Sequence, residues 1–128
     1  MVYDKQILSG KKCPYCGRAT ALVDSTEIYG RSYGPIYLCR SCDAYVGCHR
    51  GTTNAKGRLA NAELREWKKN AHYAFDAIWK DRHMTRREAY AWLSAKMGLH
   101  VDYTHIGMFD VEECKRVVAV STEYMKGR

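Results

Sequence analysis

The sequence lacks the long apolar run that a membrane-spanning helix requires, which is about 18 consecutive residues. Its first stretch, MVYDKQILSGKKC, also lacks the apolar centre and the small-residue cleavage site of a secretion signal. We therefore expect a cytoplasmic protein that does not bind membranes. Because the cytosol is reducing, paired cysteines there are more often metal ligands or catalytic groups than disulfides.

Internal repeats, low-complexity segments and paired carboxylate motifs are also missing from the sequence, and we expect no organic cofactor. Positive charge is in excess, with a net charge of +7 and a pI of about 9.2. Residues 1–58 hold nine Lys/Arg against four Asp/Glu, and residues 59–128 hold twelve against ten. A zinc ion bound by four thiolates would carry a net charge of −2, which would reduce the positive excess of residues 1–58. The remaining excess fits nucleic acid, another acidic partner, or a merely soluble basic surface.

Residues 1–58 alternate short β-rich stretches with turns, and they contain five of the six cysteines. The predicted strands are 19–29, 36–39 and 44–47. The stretch GRSYGP, with two glycines and a proline, predicts a turn between the first two strands. This part of the chain therefore predicts a β-hairpin with a third strand.

Residues 59–128 show helical periodicity instead. Apolar residues at spacings of three and four predict three helices, at 61–80, 86–97 and 111–125. Thr85 and Asp110 are the expected caps of the last two helices, each with a glutamate three residues later. Between those helices, HVDYTHIGMF is expected to hold a short extended piece. The predicted fold class is α+β, with a zinc-ribbon unit at 1–58 and a helical unit at 59–128 that share one core.

Two Cys-x2-Cys pairs, Cys13–Cys16 and Cys39–Cys42, are separated by 22 residues. Each such turn places two thiolates on one side of a metal ion, and a hairpin can bring the turns together into the tetrahedron that zinc prefers. A redox CxxC would not need a second pair, and an iron–sulfur cluster often uses a different spacing. We predict one structural Zn²⁺. Because DAYVGC, after the second pair, predicts a strand, a zinc ribbon is favoured over a treble clef, which needs a helix there.

Cys48 and His49 have no partner pair nearby. In a strand their side chains point to opposite faces, so they cannot easily both serve the first zinc site. A second metal site would have to use other soft ligands, which are His72, His83, His100, His105 and Cys114. No spacing brings these together, and Cys48 is predicted to be a small buried hydrophobe. For His49, which begins the loop RGTTNAKGR, contact with phosphate or a partner, general-base catalysis and a structural hydrogen bond all stay open.

Five longer stretches carry a family resemblance. They are CPYCG, IYLCRSCDAYVGCHRGT, GRLANAELREWKKNAHYAFD, REAYAWL and HIGMFDVEECKRV, and they lie between about residues 13 and 118. In these the chain resembles small phage and bacterial proteins with a zinc-finger-containing domain of unknown function. The resemblance implies zinc at the four paired cysteines and a phage or prophage setting, hence the cytoplasm of a bacterial host cell. It supplies no substrate and no catalytic residue.

The first functional hypothesis is a non-enzymatic structural-zinc protein that binds DNA or RNA, or a nucleic-acid-processing complex. The expected contact residues are His49, Arg50, Lys56 and Arg58, with Arg31 and Arg40 as further candidates. Tyrosines on or near the predicted strands can either stack unpaired bases or cover the hairpin. These tyrosines are Tyr29, Tyr33, Tyr37 and Tyr45.

Two further hypotheses belong to other classes. One is a phage adaptor or inhibitor whose basic face binds an acidic surface of a host protein, and an exposed apolar patch would favour it. The other is a metal-dependent nuclease or hydrolase that uses His49, and clustering of His49 with His72 and His105 would favour it. Few carboxylates lie near His49 in the sequence, and Asp43 is the nearest.

Overall fold

The computed structural model describes residues 5–126, and the chain divides between Ala62 and Glu63 into two compact units. We call the part before this division unit 1 and the part after it unit 2. The predicted boundary after residue 58 and the predicted shared core stay predictions. None of the described helices has the length and apolar character needed to cross a bilayer.

Unit 1 contains a three-stranded antiparallel sheet with the strand order β1-β2-β3. The strands are β1 Ala21–Asp24, β2 Pro35–Cys39 and β3 Ala44–Gly47. Two helices of one turn each accompany them, α1 Lys5–Leu8 and α2 Thr26–Tyr29. The sheet confirms the predicted hairpin with a third strand. The residues after the second cysteine pair form β3 rather than a helix, as a zinc ribbon requires.

The predicted strand at 19–29 is wrong in its second half, because β1 ends at Asp24 and α2 follows. The Asp24 carboxylate accepts hydrogen bonds from both the backbone N–H and the hydroxyl of Thr26, and from Ser32 Oγ at 2.7 Å. Such side-chain bonds to a nearby backbone offer the chain a turn in place of a strand. Gly30, with φ 74°, then ends α2 in the left-handed conformation.

The strand register separates two ends of the sheet. At one end Asp24 pairs with Pro35, and Ile36 pairs with Gly47. Segments 25–34 and 48–55 both leave the sheet there, and we call it the loop end. At the other end Cys39 pairs with Ala44, and the turn 40–43 joins β2 to β3. We call this the knuckle end.

Gly10 fixes the N-terminal segment against the sheet. It is buried, its φ is +80°, and a Cβ built on it would lie 2.8 Å from Tyr37 Cδ2 and 2.9 Å from Ala55 Cβ. The Thr20 hydroxyl donates to the Gly10 carbonyl at 2.6 Å. Only glycine satisfies both the backbone angle and the space at this position.

Unit 2 contains three long helices, which together with the sheet of unit 1 confirm the α+β class. They are α3 Ala62–Lys80, α4 Arg86–Met97 and α5 Val111–Met125. Capping boxes begin α4 and α5, at Thr85 with Glu88 and at Asp110 with Glu113, as the sequence predicted. The largest fully buried side chains here are Phe75, Phe109, Leu64, Ile78, Leu93, Ile106 and Val117.

The extended piece predicted between α4 and α5 is wrong. Two 3₁₀ turns, Val101–Tyr103 and Ile106–Met108, occupy the segment. His100 directs the first turn, because its Nδ1 accepts from the Asp102 N–H at 3.1 Å and its carbonyl accepts from the Thr104 hydroxyl at 2.8 Å. These local bonds replace the strand partner that an extended segment would need.

Candidate metal centre and basic loop

Each cysteine pair lies in a tight turn that ends in a left-handed residue. Gly17, with φ 76°, follows the first pair, and Asp43, with φ 50°, follows the second. Their N–H groups donate back across the turns, from Gly17 to the Cys13 carbonyl at 2.9 Å and from Asp43 to the Arg40 carbonyl at 3.3 Å. Sequence reasoning missed Asp43, although Asp tolerates this conformation better than most residues.

Two hairpins hold the turns. Around the first pair, Lys12 bridges to Ala19, and the Cys13 N–H donates to the Arg18 carbonyl at 2.9 Å. The second pair belongs to the hairpin of β2 and β3, with Cys39 as the last residue of β2. The four thiols are therefore positioned by hydrogen-bonded backbone rather than by mobile segments.

The four sulfurs have the spacing of a tetrahedral zinc site. All four lie within 4.8 Å of one another, and Cys16 Sγ is 3.7 Å from Cys39 Sγ. A tetrahedron with Zn–S bonds of about 2.3 Å has an edge of about 3.8 Å. All six cysteines are free thiols, so no disulfide competes for these ligands. Among residues 5–126 this is the one group of His, Cys, Asp or Glu side chains that could hold a metal ion.

The thiols need a cation to ionise together. Burial raises the pKa of Cys13, and desolvation raises the pKa of Cys42 to about 12. The Ser41 hydroxyl, 3.4 Å from Cys39 Sγ, lowers the pKa of Cys39 to about 6. Four negative sulfurs at this spacing repel one another, and a divalent cation removes that penalty. A four-cysteine set leaves no open position on zinc, so the residues fit one structural Zn²⁺, as predicted.

The other two cysteines do not join this group. Cys48 is half-buried, bridges to Ala55, and packs against the buried cluster that includes Tyr37 and Leu59. Burial raises the pKa of the Cys48 thiol, which agrees with its predicted role as a small hydrophobe. Cys114 is fully buried in α5.

The basic loop, which we define as residues 48–58, extends the β2–β3 hairpin at the loop end. The His49 N–H donates to the Asn54 carbonyl at 2.8 Å, and the Lys56 N–H donates to the Gly47 carbonyl at 2.9 Å. The Tyr37 hydroxyl donates to the Thr53 carbonyl at 2.7 Å, which ties the loop to the sheet. The loop backbone is thus held at several points along its length.

The predicted contact residues differ in exposure. His49, Arg50 and Lys56 are exposed, whereas Arg58 is half-buried. Arg31 lies at the loop end, in the segment before β2, with its guanidinium carbon 5.4 Å from the centroid of the Tyr33 ring. Arg40 lies in the turn at the knuckle end and pairs with Glu27 at 3.3 Å.

The two histidines considered for catalysis lie in different units. His49 belongs to the basic loop of unit 1. His105 is exposed in unit 2, where its ring centroid lies 5.9 Å from that of Tyr90. A catalytic role for either residue stays a prediction.

The comparison with protein families identifies the chain. A family model for a zinc-finger-containing domain matches residues 9–124, and the chain belongs to that family. This confirms the family resemblance of the sequence and agrees with the four-cysteine site. No curated protein and no solved structure matches the chain significantly.

Proposed function

We propose that this zinc-finger-containing protein is a non-enzymatic module that binds DNA or RNA, alone or within a nucleic-acid-processing complex, through its basic loop. The observation that carries the proposal is the exposure of His49, Arg50 and Lys56 on a loop with a fixed backbone. A preorganised loop loses little conformational entropy on binding, and each Lys or Arg that meets a phosphate releases counterions. Zinc would stabilise the sheet from which the loop extends.

The distribution of acidic groups in unit 1 also supports this assignment. Asp43 lies in the turn at the knuckle end, and Glu27 reaches Arg40 of the same turn. Asp24 is the remaining described carboxylate of unit 1, and both of its oxygens accept hydrogen bonds. Asp24 and Glu27 therefore use their carboxylates on groups outside the basic loop.

Fluorescence anisotropy of labelled single-stranded and duplex DNA and RNA, titrated with salt, tests the proposal. The test variant is Arg50→Ala with Lys56→Ala. The matched control is Lys11→Ala with Arg18→Ala, which removes two exposed positive charges next to the first cysteine pair. We expect the test variant alone to weaken binding, and its salt slope on duplex DNA to fall by about 0.9 per lost phosphate contact.

Two results would contradict the proposal. One is the absence of binding at low salt by folded, zinc-loaded protein. The other is an equal loss of affinity in the test and control variants, because binding would then follow net charge and not the loop. Zinc content and circular dichroism of each variant show that the comparison is made between folded proteins.

A second candidate, an adaptor or inhibitor that binds a host protein, is favoured by a groove in unit 2. The groove lies between α3 and α5, has a volume of about 590 Å³ and is largely apolar. Its larger lining side chains are Trp67, Tyr73, Val118 and Met125. Apolar surface of this kind is typical of protein contacts. A pull-down from a bacterial lysate with the intact protein and with Tyr73→Ala tests it. Equal capture of a partner by both proteins would contradict binding at the groove.

The remaining predictions have less support. A metal-dependent nuclease or hydrolase that uses His49 stays a hypothesis, and the metal-ligand group found among residues 5–126 does not include this histidine. The phage or prophage setting and the cytoplasmic location also stay predictions.

A further inference from the structure

We propose that unit 1 carries a base-stacking surface and that the preferred ligand is single-stranded nucleic acid. We define the tyrosine patch as Tyr29, Tyr33 and Tyr45 together with Arg31. This inference rests on the proposed function for its phosphate contacts. It adds a surface for unpaired bases, which the basic loop does not supply.

The rings of the patch form a connected set in which Tyr29 and Tyr33 are exposed and Tyr45 is half-buried. Tyr29 meets Tyr33 edge to face, with ring centroids 5.6 Å apart at 90°, and meets Tyr45 at 6.1 Å and 89°. Tyr33 is 69% exposed and Tyr29 is 53% exposed. The Arg31 guanidinium, stacked 5.4 Å from the Tyr33 centroid, adds a planar cation. Tyrosine rings and arginine planes are the groups on which proteins stack splayed bases.

The segment that presents Tyr29 and Tyr33 is held in place by polar contacts. Ser25 Oγ accepts from the Tyr33 N–H at 2.6 Å, and the Ser25 N–H donates to the Gly34 carbonyl at 2.9 Å. Asp24 accepts from Ser32 and from Thr26, which closes the turn from its other side. Exposed aromatic rings on a rigid turn can bind without a large ordering cost.

Only part of the patch lies at the loop end, since Tyr45 belongs to β3 and pairs with Leu38 next to the knuckle end. Segment 25–34, which carries Tyr29, Arg31 and Tyr33, leaves the sheet where Asp24 pairs with Pro35. The basic loop leaves where Ile36 pairs with Gly47. A strand whose phosphates meet Arg50 and Lys56 therefore has Tyr33 and Arg31 at the same end for its bases. Tyr29 and Tyr45 continue the patch along the sheet.

Tyr37 shows what a purely structural tyrosine looks like in this unit. It is buried in the sheet, and its hydroxyl donates a hydrogen bond to the Thr53 carbonyl. The rings of Tyr29 and Tyr33 instead leave most of their surface to solvent, where covering the core cannot be their main role. A duplex keeps the faces of its bases stacked on one another, so only unpaired bases can use these rings.

The experiment compares one labelled oligonucleotide as a single strand and as a duplex, in DNA and RNA forms, by anisotropy. The test variant is Tyr29→Ala with Tyr33→Ala, and the matched control is Tyr103→Ala, a 45% exposed tyrosine in a 3₁₀ turn of unit 2. We expect the test variant to bind single strands about 5- to 100-fold more weakly, with duplex binding and the salt slope unchanged. Tyr33→Phe should bind as the unchanged protein does, because the ring face is kept.

The outcomes separate this inference from the proposed function. If the unchanged protein binds both forms with salt dependence and the test variant does the same, the basic loop stands and the stacking surface is wrong. If the unchanged protein binds neither form, both are wrong. Should the double variant lose its zinc, Tyr33→Ala alone is used, since the bond from its backbone N–H to Ser25 does not need the ring. The inference would also be wrong if the double variant no longer bound a protein partner but bound single strands as well as the unchanged protein does.

Discussion

Unit 1 and unit 2 have similar lengths but differ in what holds them together. In unit 1 the longest strand has five residues, and the buried cluster includes the zinc ligands Cys13 and Cys39. In unit 2 the helices have 12 to 19 residues and bury large side chains such as Phe75 and Phe109. Small units bury too little apolar surface to offset chain entropy, so a metal often takes over. The comparison indicates that zinc stabilises unit 1 and that unit 2 relies on apolar packing.

The chain offers a separate probe for each half of this comparison. All three tryptophans, Trp67, Trp79 and Trp92, lie in unit 2, and so do the long helices that dominate circular dichroism. Hydrogen exchange of the backbone amides in β1, β2 and β3 reports on unit 1. The full-length protein can therefore be used throughout, without separating the units.

Zinc removal should produce the largest effect. Binding of structural zinc is worth on the order of 10 kcal/mol in small zinc-dependent folds, so a chelator should unfold unit 1. We expect amides in the sheet to lose their protection from exchange, while tryptophan emission and helical dichroism change little. If exchange protection, tryptophan emission and helical dichroism are all lost together, zinc also maintains unit 2. The two units would then not differ in what stabilises them.

Replacing one zinc-ligand cysteine tests the same difference between the two units, and a second cysteine provides a matched control. Cys39→Ser removes a buried metal ligand, and Cys114→Ser alters a buried cysteine of unit 2 that is not one of the four ligands. We expect Cys39→Ser to lose stoichiometric zinc, measured by atomic emission. Cys114→Ser should keep the zinc and lower the stability of unit 2 by about 1–3 kcal/mol, because a hydroxyl is costlier to bury than a thiol. Full zinc occupancy in Cys39→Ser would contradict the four-cysteine site.

A change at Gly10 should weaken unit 1 without touching a zinc ligand. In Gly10→Ala the added Cβ meets the Tyr37 ring and Ala55 in a left-handed backbone, for an expected cost of about 3 kcal/mol. Gly30→Ala has a similar φ, +74°, and no neighbour within 4 Å, so strain alone should cost about 1 kcal/mol. Exchange protection in the sheet measures both. Equal costs would mean that the close approach at Gly10 relaxes without penalty.

The smallest effect concerns the cap of α4 in unit 2. The Thr85 backbone N–H, which donates to the Glu88 carboxylate, lowers the pKa of Glu88 below its ordinary 4.5. A lowered folded-state pKa adds stability above pH 4.5, and this stability is lost as the pH falls through the folded value. Glu88→Gln should therefore be slightly less stable than the unchanged protein at pH 6, and the difference should be smaller at pH 3. Tryptophan-monitored denaturation at both pH values measures it, and a constant difference would contradict the assignment.

Features that depend on short-range chemistry could be predicted from the sequence. The spacing of Cys13, Cys16, Cys39 and Cys42 was sufficient for the zinc site, because two turns of this type have one common metal geometry. The helices of unit 2 followed from their apolar period and from the caps Thr85 and Asp110. The strands at 36–39 and 44–47 were also found correctly.

The missed features depend on side chains that bond to the backbone. Asp24 ends β1 early, and His100 directs a 3₁₀ turn. In both places residue propensity alone predicted an extended chain. Asp43 occupies a left-handed position that glycine fills in the other pair. The tyrosines could not be separated either, because strand register decides that Tyr37 is buried, whereas Tyr33 lies in a turn and is exposed.

The separation of the two ends of the sheet has an electrostatic consequence. Four thiolates and one zinc ion carry a net charge of −2, which would repel a polyanion at close range. From Cys39 to Pro35, β2 spans about 14 Å, at roughly 3.4 Å per residue. The Debye length at physiological ionic strength is about 8 Å, so solvent ions screen much of that repulsion at the loop end. The anionic zinc site can thus stabilise the sheet without strongly repelling phosphate at the basic loop.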